Sequence, residues 1–223
     1  MNVLVVAAHP DDEVLGCGGT IGRLAEEGHA VSIGILGEGA TSRDGTDGPA
    51  EVEVLRQQSR QAAELLGAKE VMLAGLPDNR FDTVPLLDVV KRIEAWVDQV
   101  QPEVVYTHHA GDLNIDHAIA ARATLTAARP LPGGVVRELY AYEVPSSTDW
   151  SFDRCGAPFR PNTFVDIADT LDTKLEAMAV YTSETRPFPH PRSAEALRAN
   201  AVRWGGTAGV TAAEAFELVR ATR

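Results

Sequence analysis

The sequence predicts a doubly wound α/β fold, with a mostly parallel sheet covered by helices on both faces. Three observations carry this. Strand-like and helix-like patterns alternate from residue 1 to about 145. Glycine and proline punctuate the boundaries between them. Two polar clusters, one after the first strand and one after the fourth, sit where such sheets place their ligands, beyond the carboxyl ends of the strands.

Each element has its own signal. Val3 to Ala7 is a short β-branched run and reads as the first strand. Val14, Cys17, Gly18, Ile21, Leu24 and Ala25 then recur at helical spacing, and Gly28 stops that helix. Ala30 to Leu36 reads as the second strand, and Gly37 to Pro49 as a surface loop. Glu51 to Leu66 is rich in strong helix formers and is closed by Gly67. Glu70 to Ala74 is a third strand, ending in the turn Gly75-Leu76-Pro77-Asp78-Asn79. Apolar residues at 86, 87, 90, 93, 96, 97 and 100 mark a helix, and Val104 to Thr107 a fourth strand. Ala118 to Ala128 continues as a helix, and Glu138 to Val144 as a fifth strand. The last third is less regular. Thr163 to Ile167 reads as a strand; Leu171 to Tyr181, Ala194 to Trp204 and Ala212 to Arg220 read as helices. No linker composition or internal repeat is visible. One domain over residues 1–223 is therefore expected, with a core to about 145 and a C-terminal elaboration over 146–223.

The composition narrows the function classes. A chain of 223 residues can bury a substantial core. Its net charge of −12 disfavours nucleic acid and anionic membranes as partners, since both need a basic face. The two cysteines, Cys17 and Cys155, lack metal or redox spacing and read as reduced thiols. The opening apolar run lacks a basic flank, so a cytoplasmic location is expected.

The chemistry concentrates in the two polar clusters. Ala8-His9-Pro10-Asp11-Asp12-Glu13 places one imidazole and three carboxylates in a single turn. Burying so many ionisable groups is costly unless something binds them. The second cluster, His108 to His117, adds three histidines, Asp112, Asn114 and Asp116. Both loops leave the same edge of a parallel sheet, so groups a hundred residues apart can meet. Two histidines and a carboxylate with an open position make a catalytic zinc site, and a second carboxylate near its water can serve as general base. One of the adjacent His108 and His109 must point away and pack.

"AHPDDE" and "HHAGDLNIDH" resemble the motifs of the PIG-L (LmbE-like) family of zinc-dependent N-deacetylases. "GCGGTI", "LPDNRFD", "AYEVPSSTDW", "FVDIADTLDTKLEAM" and "PHPRS" are similar to its bacterial carbohydrate-directed branch, so the resemblance spans nearly the whole chain. It implies a Rossmann-like, LmbE-like fold, Zn2+ replaceable by Co2+ or Fe2+, and a small N-acetylated sugar or glycoconjugate as substrate. It also suggests a homo-oligomer. It implies His9, Asp12 and His117 as metal ligands and Asp11 as the general base. Where many relatives carry a histidine this chain has Asn114, which can donate to an oxyanion but cannot act as an acid. His190 is then a candidate proton donor, or Asp11 serves as both base and acid. Asp116 is expected to orient a ligand or donor from outside the first coordination sphere. Arg56 or Arg60, Asp78 and Arg192 are candidate substrate contacts, and Glu13 is expected to orient the following helix. Specificity is expected in Gly37 to Pro49 and Pro145 to Pro161.

Two rival functions have sequence support. Gly16-Cys17-Gly18-Gly19 invites a Rossmann nucleotide-binding reading, but the spacing is not G-x-G-x-x-G and the acidic turn would repel a pyrophosphate. The glycines fit close helix–sheet packing better. A non-catalytic metal- or sugar-binding module is the other rival; a purely structural metal site has no use for the spare Asp11.

Overall fold

The computed structural model describes residues 1–40 and 48–222. Its strands are β1 (Asn2–Ala7), β2 (Ala30–Gly37), β3 (Glu70–Leu76), β4 (Val104–His108), β5 (Glu138–Tyr142), β6 (Thr163–Asp166) and β7 (Ala213–Ala221). They form one seven-stranded sheet in the order β3-β2-β1-β4-β5-β7-β6. The pairs from β3 to β5 are parallel, and β7 runs antiparallel to both β5 and β6.

The hydrophobic pattern of β1 shows why the sheet needs two covers. Val3, Val5 and Ala7 join one core cluster and Leu4, Val6 and Ala8 join another, as period-2 alternation requires. Both sets are apolar, so both faces are buried, which is the signature of a central parallel strand. On the first face lie α1 (Asp12–Glu26), α2 (Gly48–Leu65) and α5 (Leu171–Val180). On the second lie α3 (Leu86–Val100) and α4 (Ile115–Ala127). Close approach of α1 to the sheet needs its glycines. A Cβ on Gly16 would run into the Tyr142 ring, and one on Gly19 would stand 2.7 Å from Ile167.

Two expectations are corrected. Residues 212–220 read as a helix because Ala, Glu and Leu favour one, but Ala213–Ala221 is the strand β7. Tertiary pairing overrides propensity here, since β7 hydrogen-bonds along both its edges and leaves β5 no open edge. Its side chains alternate: Ala213 and Ala215 pack with Trp204 of α6 (Ala194–Ala208), while Phe216 packs on Tyr106. The C-terminal third therefore completes the sheet. The helix read as 118–128 begins earlier, at Ile115, so Asp116 and His117 lie on its first turn.

The C-terminal segment also braces α1. Gly19 and Thr20 donate their backbone N–H groups to the two carboxylate oxygens of Glu214, at 2.9 and 2.7 Å. Lys174 Nζ donates to Leu15 O at 2.8 Å and to Glu214 Oε1 at 2.6 Å. Main-chain groups of α1 are thus held by a buried ion pair on β7 and α5. Lys174→Met should leave Glu214 buried without its cation and cost about 3–5 kcal/mol, read as a lowered urea midpoint. A midpoint within error of wild type would show that the pair does not brace α1.

Candidate metal centre

The strand order reverses direction between β1 and β4, and the crevice at that switch point is the ligand position of such sheets. The turn after β1 is closed by His9 N–H, which donates to Asp12 Oδ2 at 2.8 Å. Asp11 adopts φ 110° and ψ −28°, a conformation unusual for a residue with a Cβ. Adjacent Asp11 and Asp12 are thereby splayed. After β4, Asn114 caps α4: its Oδ1 accepts from Asp116 N–H at 2.9 Å. That cap fixes Asp116 and His117 at the crevice.

His9, Asp12 and His117 come together as expected. Each is buried, and one ligand atom from each lies within 4.8 Å of the others. His117 Nε2 is 3.2 Å, and His9 Nδ1 3.4 Å, from Asp12 Oδ2. Asp12 Oδ1 is buried with no hydrogen-bond partner among the described residues. A buried carboxylate with one oxygen between two imidazoles and the other without a hydrogen bond fits a cation, and two nitrogens with one oxygen fit zinc with a position left open. The far nitrogens of the rings lie near carboxylates, an arrangement that can orient an imidazole toward a metal. His9 Nε2 is 3.0 Å from Asp116 Oδ2 and 3.3 Å from Asp78 Oδ1. His117 Nδ1 is 3.2 Å from Asp112 Oδ2. Burial alone would lower both imidazole pKa values, but the carboxylates prevail: Asp116 and Asp12 lift His9 to about 10, and Asp12 and Asp112 lift His117 to about 9. Burial would raise Asp12, yet the facing histidines hold it well below the usual carboxylate range.

Asp11 lies beside this trio. Arg192 Nη1 donates to its Oδ2 at 2.7 Å, and Arg192 Nε donates to Ser146 Oγ at 3.1 Å. Burial pushes the Asp11 pKa up, while Arg192 opposes the shift. Glu13, also buried, takes the Asp11 N–H on Oε2 at 3.1 Å, and burial carries its pKa to about 7. Arg192 forms part of the wall of a cavity of about 470 Å³, with Asn79, Asn114, Ser146, Ser147 and Trp150. A cavity of about 530 Å³ around Arg129 to Gly134 contains none of these groups.

The other predicted residues take varied places. Asn114 Nδ2 donates to Asn79 Oδ1 at 2.9 Å. Asp116 holds His9, and its Oδ1 accepts from Phe81 N–H at 2.9 Å. Asp78 faces His9 from inside the site. Arg56 is partly exposed and 3.8 Å from Glu38, and Arg60 is exposed. His190 packs edge-on against Trp150, and its Nδ1 accepts from Arg192 N–H. His108 Nε2 accepts from Ala8 N–H at 2.8 Å, which uses the lone pair a metal would need. His109 bridges Glu217 and Ala157 O, so it packs away from the centre. Of the two expected specificity loops, 145–161 reaches the cavity through Ser146 and Trp150; residues 41–47 of the other lie outside the described residues. The sequence assigned no role to Asp112, to Tyr181, whose hydroxyl meets Glu13, or to Glu184, whose Oε2 is 3.7 Å from Arg192 Nη1. Asp112 alone carried a signal, as the second acid of the β4 cluster.

The family model for PIG-L, GlcNAc-PI de-N-acetylase, matches residues 4–128. An uncharacterized deacetylase, YaiS, of Escherichia coli K12 is 29% identical, covering 81% of this chain and 90% of the relative. The 4-oxalmesaconate hydratase of Pseudomonas putida is 34% identical, covering 79% and 71%. The diacetylchitobiose deacetylase of Thermococcus kodakarensis is 27% identical, covering 97% and 82%. The crystal structure of the conserved protein TT1542 from Thermus thermophilus superposes with a TM-score of 0.79 at 28% identity, covering 100% of this chain and 96% of that one.

Two outcomes test the centre. With His9 and His117 raised to about 10 and about 9, protons compete with a metal for both nitrogens at neutral pH. Zinc binding should therefore release protons at pH 7, and apparent affinity should rise with pH up to about 10. Calorimetry in buffers of different ionisation enthalpy reads this; a heat independent of buffer would refute it. Asp112→Asn should weaken zinc affinity roughly 10–100-fold, measured by chelator competition.

Proposed function

We propose, since the chain belongs to the PIG-L (GlcNAc-PI de-N-acetylase) family, that it is a metal-dependent amide hydrolase. It removes acetyl from an N-acetylated amino sugar of the N-acetylglucosamine type, or from a conjugate of one. The observation that carries this reading is the buried trio His9, Asp12 and His117 with a spare carboxylate, Asp11, beside it. A binding module has no need of that second acid.

His9, Asp12 and His117 are the residues that would hold zinc, with cobalt or iron as replacements. Bound there, the ion would polarise the amide carbonyl and lower the pKa of a water. Asp11 takes the proton of the attacking water as the new C–O bond forms. Arg192, paired with Asp11, aims that carboxylate and opposes the rise that burial imposes on its pKa. The Asn114 side chain uses one N–H on Asn79 and has a second to offer an oxyanion. As the C–N bond breaks, Asp11 returns its proton to the departing nitrogen, giving acetate and the free amine. His190 is the alternative donor only as an imidazolium, which requires its Nδ1 to release the Arg192 N–H it accepts here. Arg56 and Asp78 complete the substrate contacts in this reading.

The hydratase relative, 34% identical, supports a second reading. Water deprotonated by the same base would add its oxygen to one carbon of a carbon–carbon double bond while the protonated base returns the proton to the other, with Arg192 facing a substrate carboxylate. Acetate and free-amine release from a panel of N-acetylated sugars, beside consumption of 4-oxalmesaconate, separates the two. Deacetylation should appear in the first assay and no turnover in the second; the reverse overturns the proposal.

Asp11→Asn should lower kcat by roughly 10²–10⁴-fold while metal content stays at the wild-type level. Full activity in that variant would remove Asp11 from the mechanism. Chelation should abolish activity and added zinc should restore it.

A further inference from the structure

Glu13 is buried at 1% exposure, and Tyr181, which follows α5, at 0%. Among the described residues, neutral donors hold the Glu13 carboxylate. Its Oε1 accepts from the Tyr181 hydroxyl at 2.5 Å and its Oε2 accepts from the Asp11 backbone N–H at 3.1 Å. A buried carboxylate held only by a tyrosine and main-chain N–H groups, with no cation among the described residues, is an expensive way to start a helix. The N–H it holds belongs to the residue with φ 110°. Such a conformation is costly for a residue with a Cβ and persists only where its surroundings fix it.

The consequence of that conformation is chemical. It turns Asp11 away from Asp12, so that Asp12 joins the two histidines while Asp11 Oδ2 meets Arg192 at 2.7 Å. We propose that Glu13, itself held by Tyr181, is a positioning residue for the general base. It acts through the main chain of Asp11 and touches neither substrate nor metal. This extends the role expected of Glu13 at the helix start, and it gives Tyr181, more than sixty residues beyond the second motif, a part in the reaction. The inference rests on the deacetylase reading, in which Asp11 is the base.

The test compares metal-loaded Glu13→Ala, Glu13→Gln and Tyr181→Phe. Glu13→Ala should lose roughly 10–100-fold in kcat, as a misplaced catalytic group does, with KM and bound zinc unchanged. Tyr181→Phe, which removes one hydroxyl, should shift kcat in the same direction by less, and it remains informative if Glu13→Ala does not fold. Glu13→Gln keeps an oxygen for the Asp11 N–H and should recover most of the activity. A crystal structure of zinc-loaded Glu13→Ala, or of Tyr181→Phe in its place, should show Asp11 out of the positive-φ region and parted from Arg192. A merely structural role would lower thermal stability and leave kcat per folded, metal-loaded molecule unchanged; that result overturns the inference. So does a fall in kcat with Asp11 unmoved in the crystal. Full activity in Asp11→Asn would instead sink the reading of Asp11 as base, while the crystal structures still decide whether Glu13 sets its conformation.

Discussion

The site depends on one electrostatic constraint: buried carboxylates crowd around two imidazoles. Asp12 stands between His9 and His117, Asp116 and Asp78 face the far side of His9, and Asp112 faces the far side of His117. These acids come from the loops after β1, β3 and β4. Parallel pairing of β1 with β4 and of β1 with β2 brings those loops to one edge. Burial makes such a concentration of negative charge expensive, and a cation at its centre is the natural balance. The orphaned Asp12 Oδ1 is the atom at which that balance is missing within the protein itself.

The same constraint explains what the last third of the chain does. Arg192 brings a positive charge to Asp11, Lys174 and Glu214 brace α1 through its main chain, and Tyr181 holds Glu13. Each reaches back to the first motif or to the helix that follows it. β7 and β6 meanwhile carry the sheet beyond β5. The C-terminal segment is therefore part of the frame that fixes the acidic turn.

Two neighbouring aspartates acquire different surroundings through one backbone angle. Asp12 faces histidines and is held in its charged form, whereas Asp11 is driven up by burial and restrained by Arg192. Groups pushed apart in this way are the usual mark of divided chemical labour. The fold alone does not decide which reaction is served. Deacetylases and a hydratase stand among its relatives, and both reactions need an activated water and a base to take its proton.

The trio His9, Asp12 and His117 came from the family resemblance; what the sequence by itself determined is the alternation that sets the sheet, the His/Asp clusters at the strand ends and the glycines that let α1 approach. These are local matters: β-branched runs, helical periodicity and residue types at strand ends. It misread β7, because an Ala-Glu-Leu stretch favours a helix until two strands offer it edges. It left Asp112, Tyr181 and Glu184 without roles, and it read Asp78 and Arg192 only as candidate substrate contacts. Tertiary structure decided their places: Asp78 faces His9, Arg192 pairs with Asp11, and Tyr181 holds Glu13. What a buried polar side chain bonds to depends on which distant segment folds against it, and no local pattern carries that information.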